Sequence, residues 1–344
     1  MDNLTLANST EITPTRSIGE RVIQAIVLSI ICLTSVLGNA LVAATIHFDY
    51  RLHKPTFYFI ASLSVADIIV GAVYVPFFAV AVLDGWGFGT IWCDVLAVTV
   101  SLSFNASLVT LALVSWDRYL AITKPLRYQA FMTSERAAAL IAGAWVHSLF
   151  WAASPSVGWG EIAFDLDTNI CRIEWSSKVE SSKVYSLFLA FFAFFIPTAI
   201  MIYCYCKIFK VARHHVKQIK QNSVSSQQSV TVNDTRALKT ILIVIGAFAV
   251  AWLPYTMFSL TKLFAPGVVK VEATGSNAVL TVTLLNGCIN PVIYSLRDKR
   301  FRNGIRKRLC PCCVKTEASQ EFSCVTGVHS ASRYTNPTVI VTSF

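Results

Sequence analysis

Charged residues are scarce in this chain, since Asp, Glu, Lys and Arg make up only 14% of its 344 residues. Soluble globular domains average about 25%. Hydrophobic residues make up 54%. A water-soluble fold could not bury that much apolar surface, so we expect lipid to be the solvent of most of the chain.

The patterns of several function classes are also absent. We find no nucleotide-binding loop, no zinc-protease helix motif and no catalytic Ser, His and Asp set with a supporting fold. No enzyme is therefore indicated. A channel would need a ring of like charges or a pore loop. A transporter of a small solute is the remaining alternative because it too places polar groups at mid-membrane, but transporters of this size usually show an internal repeat, which this chain lacks.

Seven apolar stretches are present, each long enough to cross a bilayer as a helix of about 20 residues. The predicted fold is an all-α membrane protein, a seven-transmembrane helix bundle with a short amphipathic eighth helix at 298–309. The predicted spans are Val22–Ile46, Thr56–Leu83, Thr90–Leu120, Ala137–Trp159, Ser182–Phe209, Arg236–Leu263 and Ala273–Leu296. Pro76, Pro155, Pro197, Pro254 and Pro291 fall within five of the spans, where we expect kinks.

The chain divides into four predicted regions. Residues 1–21 form an extracellular glycosylated segment, 22–297 the seven-helix domain, 298–313 the amphipathic helix with a palmitoylation cluster, and 314–344 a polar, disordered cytoplasmic tail. The first 20 residues lack the apolar core of a cleavable signal, so the first span is expected to start insertion itself.

The basic residues predict the orientation. With the N-terminus outside, 22 of the 29 Lys and Arg residues lie in cytoplasmic segments and 7 in outer ones, as the positive-inside rule requires. The net charge of +10 therefore does not indicate that the protein binds nucleic acid. We expect the protein to lie in the plasma membrane. Asn3 and Asn8 are glycosylation acceptors in the outer segment.

The cysteines fall into groups by compartment. Cys93 opens the third span at its outer end and Cys171 lies in the following outer loop, so both face an oxidising space and a disulfide between them is predicted. Cys310, Cys312 and Cys313 follow basic residues on the cytoplasmic side, where reversible palmitoylation is expected. A zinc site is the alternative for that cluster, although no second Cys or His pair stands at ligand spacing nearby.

The polar groups inside the spans form an ordered series of motifs. From about residue 22 to residue 313 the chain resembles a rhodopsin-like (class A) G-protein-coupled receptor. The matching motifs, one for each span, are Asn39 in 38–42, Asp67 in 63–67, Asp117-Arg118-Tyr119, Trp145, Pro197 with Tyr205, Trp252 in 248–254 and Asn290-Pro291-Val292-Ile293-Tyr294.

The resemblance implies a switch at the cytoplasmic end of the third span. The Asp117 carboxylate can hold the Arg118 guanidinium in an inactive state. Asp234, eighteen residues before Trp252, is placed as a second carboxylate for Arg118 and would latch the third and sixth helices together. Asp234 as a solvated loop acid is the alternative.

Near mid-membrane, the family pattern brings together Asp67, Ser107, Asn286 and Asn290. One carboxylate surrounded by neutral oxygens suits a hard monovalent cation, and the family implies sodium as an allosteric ligand. A protonated Asp67 is the alternative, because burial disfavours the charged form. Above this site we expect a packing relay of Trp252, Phe248, Pro197 and Leu108, with Pro254 and Pro291 as hinges.

An outward swing of the sixth helix would open a cytoplasmic cleft for a heterotrimeric G protein, with a preference for the stimulatory class. Arg118, Tyr205 and Tyr294 are expected to line it, and Leu126 is expected to insert into the α subunit. The third inner loop is predicted at 210–234. Receptor kinases and arrestin are further expected partners, as is a PDZ-type domain at Thr342-Ser343-Phe344.

The ligand is predicted mainly by exclusion. The seventh helix has Leu284 where opsins carry a lysine, Val100 stands where amine receptors carry an Asp, and Ser259 stands where adenosine receptors carry an Asn, which weakens an adenosine-like alternative. The remaining lining lacks charge, so we expect a neutral amphipathic ligand, or none and constitutive activity with the loop 160–181 over the pocket. The predicted pocket residues are Tyr74, Val100, Ser101, Phe104, Asn105, Ile173, Tyr255, Thr256, Ser259, Leu280 and Thr283.

Overall fold

Seven long helices, numbered α1 to α7 in chain order, confirm the predicted bundle. The computed structural model describes residues 16–221, 228–265, 273–297 and 301–305. The helices are α1 (Ile18–Phe48), α2 (Pro55–Ile69, Val70–Tyr74 and Val75–Asp84), α3 (Gly89–Thr123), α4 (Ser134–Ala153), α5 (Glu180–Phe188, Leu189–Phe195 and Ile196–Gln221), α6 (Gln228–Phe264) and α7 (Ala273–Leu284 and Asn286–Arg297). Shorter turns of helix lie at Tyr50–Leu52, Pro125–Phe131 and Ser154–Val157.

Six of these helices, α1 to α5 and α7, are long and apolar enough to cross a membrane, judged on the described residues. Many side chains of α6 lie outside the described part of the chain. Helix α3 is central: 61% of its most apolar window is buried, compared with 33% for α1. A side chain on α3 can therefore reach several other helices at either end of the bundle.

Two of the five prolines follow widened turns. Val70–Tyr74 and Leu189–Phe195 are π-helical, and each ends two residues before a proline, Pro76 and Pro197. A proline ring within a regular helix clashes with the carbonyl four residues earlier, and a wider turn relieves that clash. Pro155 instead lies in the short turn Ser154–Val157 that follows α4.

A two-stranded hairpin, β1 (Ile162–Asp165) and β2 (Ile170–Ile173), lies between α4 and α5. The strands are antiparallel, with Ala163 opposite Arg172 and Phe164 opposite Cys171. Asn169 in the connecting turn has a φ of 56°, a left-handed conformation that asparagine tolerates well. The all-helical prediction for the chain thus omitted a small sheet, which packs on the end of α3 that carries Cys93.

The prediction of a loop at 210–234 was wrong for most of that range. Helix α5 continues to Gln221 and α6 begins at Gln228. The apolar stretch ends near residue 209, but an α-helix needs no apolar face to continue into water. Residues 210–221 contain no glycine or proline that would end it.

The start of the predicted eighth helix is described at residues 301–305, which are helical. Phe301 is buried and packs between Phe57 of α2 and Tyr294 of α7, at ring-centroid distances of 5.6 and 5.8 Å. This segment is therefore anchored to the bundle through an aromatic side chain.

Candidate functional site

A cavity lies under the hairpin, between α3, α5, α6 and α7, with a volume of about 70 Å³. Ten of the eleven predicted pocket residues line it. The exception is Thr283, whose buried hydroxyl donates to the carbonyl oxygens of Val279 and Ala251 at 2.9 and 3.3 Å. The ten are Tyr74, Val100, Ser101, Phe104, Asn105, Ile173, Tyr255, Thr256, Ser259 and Leu280.

The expectation of a lining without charge was wrong, because Arg172 of β2 also faces the cavity. Its guanidinium forms an ion pair with Asp165 of β1 and lies 5.7 Å from the ring centre of Phe258. Burial by itself lowers the pKa of Arg172. The charges of nearby groups, Asp165 among them, raise the pKa by more than burial lowers it, so the net pKa is above its usual value. The pair as a whole is neutral.

The predicted disulfide between Cys93 and Cys171 is present, with the two Cα atoms 5.1 Å apart. It fastens β2 to the first turns of α3, and Cys171 is fully buried. Because Arg172 is the next residue, the disulfide also places its guanidinium over the cavity. We call this part of the bundle, with the hairpin, the disulfide and the cavity mouth, the hairpin end.

Four polar groups at the cavity make no hydrogen bond within the described part of the chain. They are the side-chain amide of Asn105, through both its nitrogen and its oxygen, the indole N–H groups of Trp175 and Trp252, and the hydroxyl of Ser259. Asn105 and Ser259 are each only 1% exposed. Buried polar groups in folded proteins almost always have partners, so these four groups mark where a ligand or water would bind.

Aromatic packing connects the cavity to the bundle interior. Phe104 of α3 lies against Trp252 of α6, with ring centroids 4.0 Å apart, and Phe248 stacks on Trp252 at 5.9 Å. Leu108 is buried in the same cluster. Three of the four residues expected in the relay, Phe248, Trp252 and Leu108, therefore lie in one cluster between α3 and α6. Pro254 lies within α6, six residues after Phe248.

Deeper in the bundle, Asp67 is buried and accepts a hydrogen bond from the Asn290 amide at 2.9 Å. Ser107 and Asn286 are buried as well, and the Asn286 side-chain oxygen has no partner in the described residues. Neighbouring Asn39 donates to the backbone oxygen of Gly287 at 2.7 Å. The described residues contain no cluster of three His, Cys, Asp or Glu, so any cation here would rely on one carboxylate and neutral oxygens, the donor set that suits sodium.

Asp117 and Arg118 lie at the far end of α3, roughly 37 Å from Cys93 at the helical rise of about 1.5 Å per residue. The Arg118 guanidinium donates to the Asp117 carboxylate at 2.7 and 3.1 Å. Two neutral donors complete the carboxylate's shell: the hydroxyls of Thr56 and Tyr128, each at 2.6 Å. Asp117 is fully buried. We call this region the Arg118 end.

Sequence reasoning missed Tyr128 and Thr56. Tyr128 lies on the short helix Pro125–Phe131, which Pro125 starts at its first position. Burial raises the pKa of Tyr128, and the Asp117 charge raises it further, so its hydroxyl stays a donor. A tyrosine eleven residues after an acidic one carries no signal by itself; the turn at Lys124 brings the two together.

Other predicted switch residues lie at or near this end. Leu126 is 100% exposed on the short helix, and Tyr119 packs against Tyr203 of α5 at 5.9 Å. The Tyr205 hydroxyl is buried without a hydrogen bond to any described residue. Tyr294 is also buried, against Phe301, so neither tyrosine lines an open cleft in this conformation. Pro291 is buried against Gly38 of α1.

Several predicted sites lie outside the described residues. They are the side chain of Asp234, the glycosylation sites Asn3 and Asn8, the cysteines Cys310, Cys312 and Cys313, and the terminal Thr342-Ser343-Phe344.

Comparison with known proteins agrees with this arrangement. Residues 38–294 match the family model described as the 7 transmembrane receptor (rhodopsin family). The histamine H2 receptor of Cavia porcellus is 31% identical over 309 residues, covering 88% of this chain and 83% of that protein. The alpha-1A adrenergic receptor of Oryctolagus cuniculus is 28% identical, covering 92% and 74%.

Among solved structures, squid rhodopsin superposes with a TM-score of 0.77 at 22% identity, covering 92% of this chain and 94% of that one. This likeness concerns the fold. The family match spans the motifs from the first helix to Tyr294, and the relatives are receptors and not enzymes. The chain therefore belongs to the rhodopsin family of seven-transmembrane receptors.

Proposed function

We propose that this protein is a plasma-membrane receptor with its N-terminus outside, which activates a heterotrimeric G protein of the stimulatory class. Family membership implies the G-protein partnership. The proposal rests on the Arg118 end, where an ion pair with a fully buried carboxylate lies near the fully exposed Leu126. Basic residues concentrated on the same side support the orientation.

The ligand we propose is neutral and amphipathic, or absent in a constitutively active receptor. Apolar side chains dominate the cavity, and the charge of Arg172 is balanced by Asp165. Two of the relatives are named for adrenergic and histamine receptors, but Val100 occupies the lining position where an amine receptor would carry an acid. A cationic head group would find no free carboxylate among the lining residues.

We also propose that sodium binds at Asp67 and favours the inactive state. Asp67 would supply the charge, and Ser107, Asn286 and Asn290 neutral oxygens. Asp67→Asn keeps the shape of the side chain and removes the charge. Added sodium should then raise the thermal stability of the parent more than that of the variant, with potassium as the control; equal stabilisation of both would refute the site.

The remaining proposals concern terminal and loop residues. Asn3 and Asn8 would carry glycans, and Cys310, Cys312 and Cys313 would be palmitoylated beside the inner leaflet. Receptor kinases and arrestin would act on the Ser- and Thr-rich tail, and Thr342-Ser343-Phe344 would bind a PDZ-type domain. Asp234 is proposed as the second carboxylate for Arg118.

Cyclic AMP in cells without added ligand, measured across a range of expression levels, tests the coupling. We expect a rise with expression. Arg118→Ala should abolish the rise, because this residue would contact the G protein. Asp234→Ala should enlarge it about fivefold at matched surface expression, if the latch contributes about 1 kcal/mol. No rise in the parent would refute stimulatory coupling; an unchanged Asp234→Ala would refute only the latch.

A further inference from the structure

Three of the four unpartnered polar groups of the cavity, those on Asn105, Trp252 and Ser259, lie at two depths. Trp252 and Ser259 are seven residues apart on α6, about 10 Å along the helix axis. Asn105 lies at the deeper level, because its neighbour Phe104 packs directly on Trp252. The deeper level therefore holds two N–H donors, on Asn105 and Trp252, together with one acceptor, the Asn105 oxygen.

Hydrogen-bonding capacity at this depth is not used by the fold. Asn105 is 1% exposed, and neither its nitrogen nor its oxygen bonds to any described residue. Ser115, ten residues further along α3, by contrast donates to the backbone oxygen of Leu111 at 2.7 Å. A buried amide without partners destabilises a protein, so an asparagine here needs a partner other than the described residues.

We propose that Asn105 forms a subsite for a neutral amide-like group, one that offers a carbonyl acceptor and an N–H donor side by side. The Asn105 nitrogen would donate to the ligand carbonyl and its oxygen would accept from the ligand N–H. The Trp252 indole N–H would serve the second lone pair of the carbonyl. This inference rests on the proposed ligand-binding role of the cavity.

Charged alternatives fit this depth poorly. Arg172 is the charged residue among those lining the cavity, and it belongs to the hairpin end, where Asp165 already neutralises it. A carboxylate or ammonium beside Trp252 would be desolvated without a counter-charge. The apolar remainder of the ligand would lie toward Val100 and Leu280.

Phenylpropanamide and its methyl ketone analogue, in which a methyl group replaces the NH₂, are matched probes for this subsite. Each is titrated against the purified full-length protein in lipid nanodiscs, with the thermal unfolding midpoint as the readout. We expect the amide to reach half of its maximal shift at a concentration about tenfold lower than the ketone, since only the amide can donate. Equal behaviour of the two, including no shift from either, would overturn the proposal and leave water as the partner of Asn105.

Asn105→Leu should remove the preference for the amide while the ketone still binds. Ser103→Ala is the matched control, because Ser103 is a buried α3 residue whose hydroxyl also makes no hydrogen bond to described residues but does not line the cavity. If Asn105→Leu still preferred the amide over the ketone, the assignment of the subsite to Asn105 would be overturned. If that variant does not fold, the titrations of the parent decide. Normal cyclic AMP signalling with no amide preference would refute the subsite alone, whereas an amide preference without signalling would refute the proposed coupling alone.

Discussion

The two ends of α3 each hold an arginine paired with an aspartate, but the pairs are built differently. At the hairpin end, Arg172 and Asp165 come from opposite strands, and their side chains are about 10% exposed. At the other end, Arg118 and Asp117 are adjacent in sequence; the arginine is 19% exposed and the aspartate fully buried. Both pairs would cost energy to break, yet the consequence of breaking them differs.

The two pairs differ in the hydrogen-bond donors that remain at each carboxylate after its arginine leaves. Asp117 retains the hydroxyls of Thr56 and Tyr128. Among the described residues, Asp165 retains only the backbone N–H of Asp167, and its arginine would be left above an apolar cavity. The Arg118 end is therefore suited to two states, while the hairpin end is suited to one. A receptor needs this combination of a fixed binding mouth and a bistable coupling surface.

Removing one charge of the ion pair at the hairpin end should give the largest loss of stability. Asp165→Asn leaves Arg172 buried without its counter-charge, and we expect a loss of about 3–5 kcal/mol of stability. The double variant with Arg172→Met removes both charges and should recover most of that loss. Thermal unfolding in nanodiscs measures both; a single variant as stable as the parent would show that the pair is not needed to hold the hairpin.

Loss of the disulfide between Cys93 and Cys171 should give the second-largest effect. Cys93→Ala should cost about 2–5 kcal/mol and retain most of the receptor inside the cell, because the hairpin loses its attachment to α3. Cys206→Ala is the matched control, since Cys206 is a free, exposed cysteine of α5. Surface staining in intact cells reads out both. Normal surface levels of Cys93→Ala would mean that strand pairing alone fixes the hairpin.

The sequence predicted the helices and the ion pair of Asp117 with Arg118, but not the ion pair of Arg172 with Asp165. Hydropathy and motif order located the helices, and compartment located the disulfide, because each follows from local composition. The hairpin strands are only four residues long and show no clear alternation of apolar residues, so Arg172 could not be placed over the cavity from sequence. Tyr128 was missed for a similar reason: its bond to Asp117 depends on the turn at Lys124. Pairings set by tertiary contacts leave no periodic signal.

The smallest expected effect is that of Tyr128→Phe. This variant tests whether the Tyr128 hydroxyl mainly stabilises Asp117 after Arg118 leaves or mainly stabilises the closed ion pair. Tyr128→Phe removes one of the two hydroxyls that remain when Arg118 leaves, so departure of Arg118 becomes less favourable. We expect ligand-free cyclic AMP to fall about fivefold at matched surface expression, for about 1 kcal/mol. Tyr50→Phe is the control, because Tyr50 is 75% exposed and follows α1. An increase in signalling for Tyr128→Phe would show that this tyrosine only reinforces the closed pair.

The most direct test of a fixed hairpin end and a two-state Arg118 end is a pair of distances measured with and without a stimulatory G protein. Spin labels carried on unnatural amino acids at Phe131 and Ile243 report the Arg118 end, and labels at Leu166 and Phe264 report the hairpin end; all four positions are exposed. We predict that the first distance lengthens by about 5 Å or more while the second changes by about 1–2 Å at most. Equal changes at both ends, or no change at the Arg118 end, would contradict the account.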